Sequence, residues 1–219
     1  MKIEMHVHTS ESSPCAQVDA QRIVSAYSEA GFDAIVITNH FDHELLKEFG
    51  HTKEEQIERY LLGYRKAKAM EASYPVKVML GIEIGLVPNP EEYLIYGIDE
   101  AFLLQYPDLC FWKQKDLYER CRSYGAAMFQ AHPFREPCRP KDPAYLDGVE
   151  FNQRPNSGNH NEKLTVWLKN HPNLKQISGS DCHTLEQVGS GGIETSQPVN
   201  DEKELAKLIT NTQVKLITA

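Results

Sequence analysis

Several histidines and acidic residues of this chain fall at the ends of apolar runs, where side chains can do chemistry. His6 and His8 straddle the end of Ile3–Val7, His40 follows Ala34–Thr38, and His132 follows Ala126–Gln130. Glu83 lies near the end of the run from Val76 to Ile84, and Asp181 and His183 follow Gln176–Ser180. Imidazole nitrogens and carboxylate oxygens are the usual donors to divalent transition ions. His6 and His8 are two apart on an extended segment, so both imidazoles share a face and can reach one ion, leaving Ile3, Met5 and Val7 to the other. A single such histidine reads better as a satisfied polar residue beside a core. Five histidines with two carboxylates at equivalent places read as a metal site. The matching chemistry is hydrolysis, in which paired ions lower the pKa of a bound water and no protein nucleophile is needed.

The remaining histidines are weighed differently. His43, one turn past His40 and beside Asp42, is either close to the site or an exposed helix start. His51 and His171 read as surface residues, and His160 as a loop residue.

Positioning such donors together requires parallel strands, whose carboxyl ends gather on one face of the fold. The chain alternates short apolar runs with longer amphipathic ones, as βα units do. Residues 3–7 are expected as a strand, followed by a helix capped by Asp19 and stopped at Gly31. A buried strand is expected over 34–38, a long helix from about 53 to 72, and a strand over 76–84. Further strands are read at 93–96, 126–130, 148–151 and 176–180, with helices near 112–123 and 202–209. Residues 133–143, rich in proline and charge, read as a loop over the site. Gly189-Ser190-Gly191-Gly192 reads as a flexible loop.

The 219 residues fit one domain spanning 1–219, with an ordinary globular composition. A net charge of −8 argues against long duplex DNA and anionic membranes as partners, and no apolar run suffices for a membrane span. The five cysteines are scattered and form no CxxC pair, which fits a reducing cytosol. No G-x-S-x-G elbow, P-loop or G-x-G-x-x-G fingerprint is present.

In order and spacing, His6-Val7-His8-Thr9, Ile37-Thr38-Asn39-His40, Gly81-Ile82-Glu83, Ala131-His132-Pro133 and Ser180-Asp181-Cys182-His183 resemble the successive metal motifs of the PHP (polymerase and histidinol phosphatase) family. The resemblance implies a distorted (β/α)7 barrel, α/β in class, with the metal site at the carboxyl ends of the strands. It also implies two or three divalent ions of zinc, manganese or iron and the hydrolysis of a phosphoester. By that pattern His6, His8, Glu83 and Asp181 hold one ion, Glu83 bridges to a second held by His132, and His40 and His183 hold a third.

This chain departs from the pattern in three places. Cys15 follows Ser12-Ser13-Pro14 where the family carries an acidic residue or histidine, and it is either a thiolate ligand or an inert small residue. Glu92 stands where the family has a histidine, a harder donor leaning towards manganese or magnesium. Asn39 replaces a common aspartate, which alters the surroundings of His40 rather than removing a ligand. Arg135 and Arg154 are the candidate phosphate-binding cations, Arg135 being favoured because it is three residues from His132. A small phosphorylated substrate, a nucleotide or a short oligonucleotide is the expected partner. Two other readings stand beside this one: a non-catalytic metal-binding regulatory or interaction domain, and a metal-dependent amide or lactone hydrolase.

Overall fold

In the computed structural model, which describes residues 1–218, the strands are β1 (Lys2–Val7), β2 (Ala34–Ile37), β3 (His40–Phe41), β4 (Lys77–Gly85), β5 (Glu92–Tyr96), β6 (Ala127–Gln130), β7 (Gly148–Asn152), β8 (Lys175–Gly179), β9 (Gly191–Glu194) and β10 (Lys215–Thr218). They form one sheet in the order β10-β9-β1-β2-β4-β5-β6-β7-β8, with β3 paired to β4 off that path. The pairs β1–β2, β2–β4, β6–β7 and β7–β8 are parallel, whereas β5 runs antiparallel to both β4 and β6. β9 is likewise antiparallel to its neighbours β1 and β10, so two reversed strands, β5 and β9, distort a mostly parallel, nearly closed barrel.

The helices are α1 (Ala20–Glu29), α2 (His43–Phe49), α3 (Lys53–Tyr60), α4 (Leu62–Ala69), α5 (Glu100–Gln105), α6 (Gln114–Tyr124), α7 (Asn161–Leu168) and α8 (Glu202–Asn211). Strand alternation sorts the apolar side chains into layers. Ile3, Met5, Val36, Met79, Leu94, Phe129 and Ile177 form an interior set that packs on Leu205, Ala206, Leu208 and Ile209 of α8. Val7, Ile35, Ile37 and Val78 instead face Ile23, Val24 and Tyr27 of α1. Among the described residues no helix is long and apolar enough to cross a membrane.

The pairing of β1 with β2 slips by one residue between Glu4 and Val7. This bulge corrects the expected separation of faces, since Ile3 and Met5 join the interior while Val7 packs outward. The carboxylate of Glu4 takes up the backbone N–H groups that the bulge leaves free, accepting from Met5 at 2.9 Å and His6 at 3.1 Å. The same oxygen accepts from Ser180 N at 2.9 Å, and Tyr27 Oη donates to the other at 3.0 Å. Burial pushes the Glu4 carboxyl above its ordinary value.

The barrel closes between β1 and the chain beyond β8. Cys182 N donates to His6 O and His8 N to Cys182 O, both at 3.0 Å. Below this seam β9 crosses β8 so closely that a Cβ on Gly191 would lie 2.3 Å from the carbonyl carbon of Gly179. Gly191 and Gly192 therefore belong to a strand, not to the flexible loop expected there. The expected helix over 53–72 is split into α3, α4 and a short 3-10 turn. Gly63 explains the close approach of α4: its N–H donates to Ser12 Oγ at 3.0 Å, and a Cβ there would meet Thr9 Oγ1 at 2.1 Å.

Candidate metal centre

The seven donors read from the strand ends form one cluster, in which four histidines approach Glu83, and Asp181 and His183 adjoin His6 and His8. Glu83 Oε1 lies 3.2 Å from His6 Nε2 and 2.9 Å from His132 Nε2. Its Oε2 lies 3.3 Å from His8 Nε2 and 2.9 Å from His40 Nδ1. Asp181 Oδ1 is 3.6 Å from His6 Nε2 and 3.3 Å from His8 Nε2. His183 stacks at a tilt on His8, their ring centroids 4.2 Å apart.

Three of the imidazoles have their second nitrogen fixed by the protein, which sets the ring and aims Nε2 at the common centre. His6 Nδ1 lies 2.7 Å from Glu150 Oε1, His8 Nδ1 3.2 Å from Ser13 Oγ, and His183 Nδ1 2.8 Å from the carbonyl of Asp181. Glu150 was not among the expected residues, because a single carboxylate inside a strand ordinarily faces water. Here it is fully buried, and its Oε2 accepts from His132 N at 3.1 Å and Asn152 Nδ2 at 3.0 Å. The backbone is held in the left-handed region at His132 (φ 27°) and Asp181 (φ 51°), a conformation non-glycine residues adopt at a cost. Each lies two residues past a strand, His132 after β6 and Asp181 after β8, and places a donor in the cluster.

Electrostatics match this geometry. Burial alone would lower His6, but the carboxylates of Glu150, Glu83 and Asp181 hold it well above its ordinary value. His40 follows the same logic: burial opposes its charge and Glu83 overrides it. For His132 burial is outweighed by the Cys138 sulfur and the Glu83 carboxylate, which raise it to about 10. Burial and the nearby His8 lower His183 to about 3. Despite their own burial, Glu83 and Asp181 are held well below the carboxylate range by these histidines.

The departures also sit at the cluster. Cys15 Sγ is 3.2 Å from His183 Nε2. Glu92 lies 3.3 Å from His40 Nδ1 and 3.4 Å from His132 Nε2 through its two oxygens. Asn39 Oδ1 accepts from Thr9 N at 2.8 Å and from Ser13 Oγ at 3.0 Å, so it shapes the turn behind His8 and His40. Arg135 is engaged on three acceptors, Asn159 Oδ1 at 3.0 Å, Asn152 Oδ1 at 2.8 Å and Asp181 Oδ2 at 2.7 Å. Arg154 is more exposed, with Nη1 3.6 Å from Asp181 Oδ2. His43 packs edge-on against Phe111, His160 lies beside Glu162 and His171 stacks on Trp167, all outside the cluster. His51 is exposed.

The donor set fits a divalent cation on one observation above the others. Glu83 Oε2 is buried and has no hydrogen-bond partner of acceptable geometry, although the imidazoles of His8 and His40 flank it. A buried unpartnered carboxylate oxygen is costly unless a cation completes it. Three overlapping groups of donor atoms, His8–His40–His183, His6–His8–Glu83 and His40–Glu83–Glu92, each lie within 4.8 Å of one another.

A nearly closed α/β barrel with histidines and carboxylates gathered at its strand ends defines the class, that of metal-dependent hydrolases. The chain belongs to the PHP domain family, whose model matches residues 4–208. The solved structures it is similar to share its fold at low identity. PsfC from Pseudomonas syringae is 18% identical with a TM-score of 0.68, over 100% of this chain and 91% of that one. A two-domain Bacteroides vulgatus protein containing a predicted PHP-like metal-dependent phosphoesterase is 20% identical with a TM-score of 0.61, over 85% of this chain and 53% of that one. The lesion-specific endonuclease PfuEndoQ from Pyrococcus furiosus is 13% identical with a TM-score of 0.63, over 98% of this chain and 57% of that one. No curated protein matches the sequence.

Proposed function

We propose that residues 1–219 act as one metal-dependent phosphoesterase domain, hydrolysing a phosphoester with the help of two or three divalent ions, zinc, manganese or iron. The observation that carries this reading is the buried Glu83 carboxylate, approached by four imidazoles, two at each oxygen, with its Oε2 left without a hydrogen bond. His6, His8, Glu83 and Asp181 would hold one ion, Glu83 and His132 with Glu92 a second, and His40 and His183 a third. Such ions, when bound, lower the pKa of water and neutralise charge on phosphoryl oxygens.

The chain's own residues do the positioning. Glu150 and Ser13 orient His6 and His8, and Arg135 fixes the second oxygen of Asp181. Arg154, whose side chain is 31% exposed and only loosely paired, is left to orient an anionic substrate. The engagement of the Arg135 guanidinium on Asn159, Asn152 and Asp181 supports Arg154 as the substrate-facing cation of the two. A loosely paired arginine beside the donors favours a phosphorylated substrate over a neutral amide or lactone. A nucleotide, short oligonucleotide or other small phosphorylated compound fits a chain with net charge −8 better than long duplex DNA.

The test begins with elemental analysis of protein purified without chelator or affinity nickel, where two or three ions per chain are expected. Turnover of p-nitrophenyl phosphate or bis-p-nitrophenyl phosphate should follow, with Arg154→Ala raising KM about tenfold, as loss of one charge-assisted hydrogen bond would. Cleavage of amides or lactones alone would favour the other hydrolase reading. No uptake of any metal would leave the interaction-domain reading in front.

A further inference from the structure

Of the five cysteines, Cys110, Cys121, Cys138 and Cys182 are buried and Cys15 is exposed. Its thiol is nevertheless not on a free loop. Ser13 N donates to Thr9 O and Ala16 N to Ser13 O, both at 2.9 Å, and Gln17 N donates to His183 O at 2.9 Å. Ser12 Oγ accepts from Gly63 N, and Ser13 Oγ lies against both His8 and Asn39. The residues on each side of Cys15 are therefore tied to segments that carry His8 and His183. The ring of His183 is in turn fixed through Nδ1 to the Asp181 carbonyl, so its Nε2 is aimed at the sulfur. His40 and His183 are joined through His8 in one group of ring nitrogens within 4.8 Å of each other.

We propose that the Cys15 thiolate, with His40 and His183, completes a nitrogen-and-sulfur position at the outer edge of the cluster, and that this position takes zinc in preference to manganese. The inference rests on the metal-dependent reading above and concerns one position within it. Sulfur and imidazole donors select zinc among the common divalent ions, while carboxylate-rich positions suit manganese and magnesium. The two replacements in this chain therefore pull in opposite directions. Cys15 softens the edge beside His183, and Glu92 hardens the edge between His40 and His132. The donors around Glu83 and Asp181 stay rich in oxygen, so the positions are chemically unequal.

The test replaces activity with spectroscopy. Metal-free full-length protein is titrated with cobalt(II), which substitutes for zinc and reports its ligands. The native chain should show a near-ultraviolet thiolate-to-cobalt charge-transfer band in addition to visible d–d bands. Cys15→Ser should lose the charge-transfer band and keep d–d bands from the remaining donors. Cys15→His should restore the ion count without the band, which separates loss of a ligand from loss of the fold. In parallel, iodoacetamide labelling of the native protein, followed by intact mass, should modify Cys15, and zinc at ten times its Kd should slow that reaction about tenfold. Manganese at equal concentration should not. Cobalt uptake without a charge-transfer band, or alkylation indifferent to zinc, would overturn this proposal while leaving the hydrolase reading intact. Failure to take up cobalt at all would overturn both.

Discussion

Glu150 holds the ring of His6 through one oxygen and the strained backbone of His132 through the other, so two donors depend on one buried side chain. Glu150→Ala would strand three buried donor groups, each worth about 1–3 kcal/mol when unpaired, and should show a clear loss of stability in urea. Glu150→Gln keeps acceptor oxygen and should fold, with metal affinity lowered about 10–100-fold, as measured by titration with a chromophoric competitor. The residue was invisible in the sequence because a lone carboxylate between Val149 and Phe151 resembles the solvent face of a half-buried strand. Here both faces of β7 are covered, and Gly148, Glu150 and Asn152 point inward. By contrast, the gathering of His6, His8, His40, His132, Asp181 and His183 was legible as a position, since each lies at or within a few residues of the end of a run that reads as a strand.

Protons compete with metal at these same residues. His6, His40 and His132 are raised in the folded, metal-free protein, so they retain protons that the unfolded chain releases near 6.5. Their contribution to metal-free stability is complete below that value and is lost as pH rises through the folded values, about 10 for His132. A bound ion must displace those protons, so affinity should increase with pH across the window. Calorimetry in buffers of different ionisation enthalpy should detect net proton release. An affinity unchanged across the window would contradict the assignment.

At the scale of elements, β1 and β8 carry the most constraint. Gly179 has no room for a side chain, since a Cβ would lie 2.6 Å from both Glu150 Oε1 and His6 Cβ. Gly179→Ala should cost about 1–3 kcal/mol and reduce metal uptake, because the methyl group must push His6 or Glu150 aside. Gly85→Ala is the control, as its added methyl would meet nothing closer than 3.7 Å, and differential scanning fluorimetry would compare the two. Short runs set between longer amphipathic ones made β2, β4, β6, β7 and β8 readable. That pattern did not reveal β9 and β10, whose glycines and mixed polarity resemble loop, nor the bulge in β1, which depends on the Glu4 carboxylate reaching forward to the N–H groups of Met5 and His6. The α3–α4 break escaped for a similar reason: the helical period continues through it, while the docking of Gly63 on Ser12 is tertiary.

At the scale of the molecule, the donors come from β1, the β2–β3 junction, β4, β5, β6 and the segment after β8, so metal binding is coupled to the whole barrel. An ion bound to the folded chain alone stabilises it by about 4 kcal/mol at a thousandfold excess over Kd. For a chain of this size that corresponds to a rise in Tm of about 10 °C, which thermal scans with and without chelator would measure. An unchanged Tm would argue that the donors are not metal ligands.

The seam between β1 and the chain beyond β8 is held by few backbone hydrogen bonds, yet His6 and His8 lie on one side of it and Asp181 and His183 on the other. An ion shared across that line would be a removable cross-link between the first strand and the last turn of the barrel. It would tie together positions far apart in the chain, as a disulfide does, while remaining reversible under cellular supply of metal. Catalytic competence and closure of the barrel would then be one property, gained and lost together.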